Sequence, residues 1–239
     1  MFYTDIHSHM LCGCDDGAAD VATMYAMLDS AYASGTRTLC LTPHFQPSFY
    51  GDNRESSEQS FALLSAYAAE KYPDMKLHLG NELGYYTDCA SALNAGHCRL
   101  LGGRYLLMDF VPNVPLFTLR YAMNELLAAG HHVILAHVER YRVLRTEHDL
   151  LLDWESRGTL FQVNASAFTG NLSFGQKRFV KFLMEQAMIH AVASDAHDLE
   201  VRSPSLAKAE QVITERFGRE TAEMVLSYLP NRILAGEPV

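Results

Sequence analysis

Short apolar runs and longer stretches of helical periodicity alternate along this chain about seven times, and that alternation restricts the fold more than any other feature. A strand followed by a helix, repeated, gives parallel strands with helices packed outside them, because each crossover returns the chain to the same end of the sheet. Strands are expected at residues 2–6, 38–41, 77–79, 105–110, 133–136, 160–163 and 191–193. Helices are expected at 20–34, 56–72, 119–129, 147–156, 176–187, 205–217 and 221–229. In the first of these, Val21, Met24, Leu28 and Tyr32 share one face, and Gly35 stands where a helix stop is needed. The 239 residues approach the ~250 of an α/β barrel. No linker or repeat divides them, so a single domain over 1–239 is expected. A closed or nearly closed barrel fits; a doubly wound open sheet is the alternative.

The ends of the expected strands carry the chemistry. The first runs out at Asp5-Ile6-His7-Ser8-His9, the second at Thr42-Pro43-His44 and the third at Gly80-Asn81-Glu82. Asp109, His137, Asn164 and Asp195-Ala196-His197 follow at the ends of the other four. Active sites of barrel folds sit at that C-terminal rim. A lone His or Asp beside a strand is usually a cap or a satisfied hydrogen-bonding group. Gathering all of these at one rim without compensation costs several kcal/mol apiece, and divalent metal provides the compensation. His7 and His9, one residue apart on an extended strand, point the same way and can reach one ion. Imidazoles and carboxylates without thiolates suit manganese, iron or zinc in a multinuclear hydrolytic centre. His78, His97, His131, His132, His148 and His190 lack such placement and are expected to be structural or exposed. Cys12 and Cys14 form a weak zinc signal, since structural sites usually need four N/S ligands.

Composition narrows the function further. Lys and Arg total 19 against 28 Asp and Glu, a net charge of −9. That disfavours a nucleic-acid partner, which calls for a basic stripe. The N-terminal stretch has neither the cationic region nor the apolar run of a signal peptide, and no apolar run nears the ~18 residues of a membrane span. Five cysteines, odd in number and irregularly spaced, suit a reducing compartment. The expected location is the cytoplasm, without membrane insertion.

These residues together resemble the PHP (polymerase and histidinol phosphatase) superfamily, and within it the bacterial protein-tyrosine phosphatases linked to capsule and exopolysaccharide assembly. The stretches that carry the resemblance are DIHSHMLCGCDDGA, TPHF, GNEL, RYLLMDF, AHVERY, QVNAS, VASDAHD and Arg202. They run in order from residue 5 to 202. The resemblance implies a distorted seven-stranded, TIM-like (β/α)7 barrel holding three divalent ions, manganese expected, with iron or zinc as alternatives. One ion would take His7, His9, Glu82 and Asp195; a second Glu82 as a bridge, Asp109 and His137; a third Asp16, His44 and His197. Of the pair Asp15-Asp16, alignment selects Asp16. Arg140 and Arg202 would bind the phosphate and stabilise the transition state, as bidentate arginine suits phosphate oxygens. Direct in-line hydrolysis is the implied reaction. The implied partner is a phosphotyrosine protein, the tyrosine-rich tail of a bacterial tyrosine kinase controlling polysaccharide export; a homo-oligomer is allowed. Alternatives are another PHP phosphoesterase, such as a histidinol-phosphate phosphatase, or a weakly active metal-binding scaffold.

The sequence departs from the family at four places. Asp109 stands where Glu is usual, Cys12 and Val138 replace prolines, and Phe45 replaces a second histidine, a change expected at the substrate rim. The aromatic segment 45–50 is expected to flank a phenyl ring. A rival phosphatase signature, His97-Cys98 followed by Arg104, matches the cysteine-dependent class. Its phosphate loop should leave a strand and open a helix, whereas this one precedes a strand, so it is expected to be a chance match.

Overall fold

The computed structural model describes residues 1–86 and 89–239. The chain enters through β1 (Tyr3–Asp5) and α1 (Val21–Ala33), which begins where the Asp20 carboxylate accepts from the Thr23 N–H at 2.7 Å. There follow β2 (Thr36–Leu41), β3 (His44–Phe45), α2 (Pro47–Tyr50), α3 (Arg54–Lys71), β4 (Lys76–Leu79), β5 (Glu82–Gly84) and α4 (Cys89–Asn94). The second half comprises β6 (Tyr105–Asp109), α5 (Leu116–Ala128), β7 (His132–Leu135), α6 (His148–Ser156), β8 (Leu160–Asn164), α7 (Ser166–Thr169), α8 (Phe174–Glu185) and β9 (Ala191–Ala193). It closes with α9 (Ala207–Phe217), α10 (Arg219–Glu223) and α11 (Leu229–Leu234).

The expected alternation holds, but the count does not. Nine strands among the described residues form two parallel sheets, ordered β1-β2-β4 and β3-β5-β6-β7-β8-β9. The expected second and third strands form as β2 and β4, but each is followed, after a bend, by a short further strand, β3 and β5. Pro43 has no N–H to donate, and the chain bends there while Thr42 turns its N–H to the Ser8 carbonyl at 2.8 Å. One crossover later Gly80 donates to Leu41, but Asn81 leaves the ladder to bond Arg99 at 3.0 Å. Gly80 is closely packed there: a Cβ would lie 2.8 Å from Leu101 Cδ1 and 3.3 Å from Cys40 Sγ. The two bends redirect His44 and Glu82, which pair in β3 and β5. Between the outer ends, Ser8 bridges Ala196 in parallel, and His9 N–H reaches the Ala196 carbonyl at 2.8 Å. The architecture is therefore α/β, with parallel sheets curled into a half-barrel.

Apolar side chains from successive strands fill the inside of the curl. Ile6, Cys40, Leu107, Ile134, Leu160 and Ala191 pack together, and Ile233 and Leu234 of α11 belong to the same cluster. Cys40 is a fully buried small hydrophobe there, and burial raises its thiol pKa. The single helix expected at 221–229 is instead α10, a π-turn at Met224–Tyr228 and α11. Pro230 cannot donate to the carbonyl four residues back, and the widened turn falls just before it.

Candidate metal centre

Side chains at or just beyond the ends of β1, β2, β4, β6, β7 and β9 converge over this apolar floor. His7, His9, Glu82, His137, Asp195 and His197 are buried, Asp109 and His44 are partly buried, and Asp16 is half exposed. Three groups place donor atoms within 4.8 Å of one another: His7, His9 and Asp195; Glu82, Asp109 and His137; and His9, Asp16, His44 and His197. All nine expected ligands are brought together. His9 stands in two of the groups, where only the first was expected.

The hydrogen bonds around the centre decide which atoms face inward. Gln162 Oε1 accepts from the His137 backbone N–H at 2.8 Å, which fixes the amide's orientation, because a backbone N–H can only donate. The same oxygen lies 3.0 Å from His7 Nδ1, so that nitrogen must carry a proton. His9 Nδ1 lies 2.7 Å from Asp15 Oδ2, and His197 Nδ1 lies 2.7 Å from the Asp195 carbonyl, both acceptors. Each ring therefore turns an Nε2 lone pair to the centre.

There His7 Nε2 and His9 Nε2 are 3.1 Å apart. Glu82 Oε2 lies 3.3 and 3.2 Å from them, and Asp195 Oδ1 3.5 and 3.6 Å. Four electron-pair donors this close repel unless a cation sits among them. Ligands about 2.1 Å from one ion are about 3.0 Å apart at right angles and about 3.4 Å apart in a tetrahedron. The observed spacings span those values, so the donor set fits a divalent ion.

Glu82 touches the most partners. Its Oε2 also faces His44 Nδ1 at 3.0 Å, and its Oε1 faces His137 Nε2 at 2.9 Å. Burial opposes its ionisation, yet the surrounding imidazoles hold its pKa well below normal. Asp109 is pushed up to about 6, by burial and then by the Glu82 charge beside it. Tyr141 donates to Asp109 Oδ1 at 3.0 Å, steadying this shorter carboxylate 3.5 Å from His137. Arg140 reaches Asp195 Oδ2 at 2.8 Å, and Arg202 approaches Asp16 Oδ2 at 3.6 Å. Two arginines thus flank the centre from different loops. His137 and Asp195 hold left-handed φ values of 32° and 51°, a strained backbone of the kind concentrated at functional sites.

The two aspartates of the DDGA stretch divide their tasks. Asp15 is pinned by His9, the His44 N–H and the Gly17 N–H, whereas Asp16 faces His44 and His197 at 3.6 and 3.5 Å. A Cβ on Gly17 would fall 1.7 Å from the His9 carbonyl oxygen, so only glycine lets this loop close over the histidine.

Sequence reasoning missed three supporting residues: Asp15 as the partner of His9, Gln162 as the shared acceptor, and Tyr141. Gln162 carried a signal, a polar residue inside an otherwise apolar strand. Phe45 corrects an expectation. It is 2% exposed and packs in the core with Leu83, because side chains alternate along β3 and His44 takes the rim face. Within the 45–50 segment, Tyr50 stacks on His44 at 5.1 Å and Phe49, at 75% exposure, packs edge-on against Tyr50. Of the histidines set aside, His190 accepts from the Phe161 N–H and His148 stacks on Phe182.

Cys98 is buried between α4 and β6, and burial pushes its thiol up to about 12, so it is not a thiolate at neutral pH. Cys98→Ser is expected to leave aryl phosphate turnover within a few-fold of the parent. Loss of turnover in a folded Cys98→Ser protein would overturn the metal assignment.

The family model for capsular polysaccharide synthesis, CpsB/CapC, matches residues 3–235. Tyrosine-protein phosphatase YwqE of Bacillus subtilis (strain 168) is 30% identical over 228 residues, covering 92% of this chain and 87% of that one. Tyrosine-protein phosphatase CpsB of Streptococcus pneumoniae is 27% identical over 236 residues, covering 96% and 97%. A chain from the crystal structures of those two metal-dependent tyrosine phosphatases matches with a TM-score of 0.86 at 27% identity, covering 99% and 96%. A histidinol phosphate phosphatase from Lactococcus lactis shares the fold, with a TM-score of 0.59 at 15% identity over 89% and 93%. With a family model matched along almost its whole length, the chain belongs to the CpsB/CapC family of capsular polysaccharide synthesis.

Proposed function

We propose that this protein is a metal-dependent protein-tyrosine phosphatase acting on the tyrosine-rich tail of a bacterial tyrosine kinase that controls capsule or exopolysaccharide synthesis. Chain 1–239 acts as one domain in the cytoplasm, its two sheets forming the arcs of a distorted seven-stave barrel. No helix among the described residues is long and apolar enough to cross a membrane. The observation that carries the reading is the convergence of lone pairs from His7 and His9 with the carboxylates of Glu82 and Asp195, beside two arginines.

His7, His9, Glu82 and Asp195 would hold one ion, Glu82, Asp109 and His137 a second, and Asp16, His44 and His197 a third, with manganese the expected metal. Bound divalent ions supply Lewis acidity and an acidified water as nucleophile. The protein's own groups do the rest. Arg140 and Arg202 grip the phosphoryl oxygens and neutralise charge that develops on them. Asp15, Gln162 and the Asp195 carbonyl hold His9, His7 and His197 in the tautomers whose Nε2 faces inward. Tyr50 and Phe49 offer faces to the phenyl ring. An aryl oxide leaves with a pKa near ~10 and needs little acid assistance.

The test is kcat/KM for a phosphotyrosine peptide, a phosphoserine peptide and histidinol phosphate at one metal concentration. Phosphotyrosine is expected to win; a tenfold advantage for histidinol phosphate overturns the assignment.

A pH dependence follows from the imidazoles. In metal-free protein His9 is held well above the usual range, burial being outweighed by Asp15, and His137 is raised to about 9 by Glu82 and Asp109 against the opposing effect of burial. Both must lose a proton before binding an ion. Metal affinity is therefore expected to weaken as pH falls from about 9 to the ordinary histidine value near 6.5. Calorimetric Mn²⁺ titrations across that interval, read also for proton release, check it; a pH-independent affinity would contradict it.

A further inference from the structure

The segments that follow β7 and β8, past His137 and Asn164, build a second surface together with the end of α9. Phe174, the first residue of α8, is 82% exposed, an unusual position for a phenyl ring in a capped helix. It forms a wall shared by two open grooves of about 800 and 580 Å³. One is floored by Phe168 and Phe217, the other by Phe179 and Phe182.

The rims of these grooves carry five Lys and Arg side chains against one acid, Glu185. Arg145, Lys177, Arg178 and Arg216 line them, and none makes an ion pair with a described carboxylate. Lys181 on the same helix is paired with Glu185 at 3.4 Å. Many of the chain's other cations are matched to acids, among them Arg37 with Asp74, Lys71 with Asp29, Arg99 with Glu58 and Arg219 with Glu223. Arg145 is the most telling of the unpaired four. Its Nε is buried with no acceptor, and its Nη1 lies 3.5 Å from where a Cβ on Gly175 would stand. In a chain of net charge −9, four open cations around exposed aromatic walls form a local anion-seeking patch.

We propose that these grooves dock an acidic stretch, with interspersed apolar side chains, of the polypeptide that presents the phosphotyrosine. The proposal rests on the phosphatase reading above. The apolar floors accept side chains that a nucleic-acid backbone does not carry. An extended anionic surface such as a membrane would also meet the chain's acidic remainder, whereas a peptide stays within the patch, inside the ~8 Å over which charges act in physiological salt. Exposed walls rimmed by polar groups are what peptide-binding surfaces present.

The experiment compares a phosphotyrosine peptide flanked by acidic residues with a neutral one, for the parent, a Lys177→Glu/Arg178→Glu double variant and Phe174→Ala. Turnover of p-nitrophenyl phosphate serves as a control. Binding of the unphosphorylated acidic peptide, by fluorescence anisotropy, is measured in parallel. The parent is expected to favour the acidic peptide at least tenfold in kcat/KM, and the double variant to lose that preference. Phe174→Ala should weaken binding of the acidic peptide several-fold. p-Nitrophenyl phosphate turnover should stay within twofold throughout. Equal turnover of both peptides by the parent overturns the proposal, as does undiminished binding in the double variant. Tighter binding to phosphatidylserine vesicles than to the acidic peptide overturns it too. If the unphosphorylated peptide binds in a Lys177- and Arg178-dependent way but no phosphotyrosine peptide is hydrolysed, the docking groove stands and the phosphatase reading falls.

Discussion

Exhaustive chelation is expected to abolish aryl phosphate hydrolysis and to lower the melting temperature, with Mn²⁺ restoring both more readily than Mg²⁺. Lone pairs from His7 and His9 and the oxygens of Glu82 and Asp195 stand 3.1–3.6 Å apart around one point. Without a cation that arrangement is held only by protonating imidazoles, as the raised pKa of His9 indicates. An ion at a hundredfold over its Kd contributes about 3 kcal/mol. For a chain of this size that corresponds to roughly 6–12 °C per ion. Mg²⁺ prefers oxygen-only octahedra and recovers less at an imidazole-rich centre. Activity by colorimetric assay, melting by calorimetry and metal content by mass spectrometry read the three parts separately. Full turnover in protein shown to be metal-free would sink the proposed function.

Glu82→Gln is expected to cause the largest loss from a single side chain, on the order of 10³ in kcat or more, judged against the removal of one electrostatic stabiliser. The substitution keeps the volume and the fold's packing but removes the charge. Glu82 is singled out by its reach: one carboxylate faces His7, His9 and His44 through Oε2 and His137 through Oε1. Two of the three proposed ion sites would lose their shared anion at once. The metal-to-protein ratio should fall with the activity while the circular dichroism spectrum is kept. Arg140→Ala, which removes a phosphate contact and no ligand, should instead lower kcat/KM with metal content unchanged. A Glu82→Gln protein that retains its metal and turns over within tenfold of the parent would remove Glu82 from the bridge.

What could be read from the sequence is what depends on neighbours along the chain. The strand–helix alternation, the placement of polar residues at strand ends and the shared face of His7 and His9 follow from periods of 2 and 3.6 residues. So does the dismissal of Cys98, whose loop comes before its strand. The motif resemblance added the ligand set and the two arginines to that local reading. The tertiary structure decided what depends on which strand lies beside which. Pro43 and Gly80-Asn81 end two strands and redirect His44 and Glu82, because a missing N–H and a crowded glycine matter only once the neighbouring strand is known. Phe45 turned into the core, since the faces of so short a strand are assigned by its pairing partners. Gln162 meets His7 across 155 residues of chain. No local pattern encodes that distance; it is closed by the curl of the sheet, which brings side chains remote in sequence to one buried point.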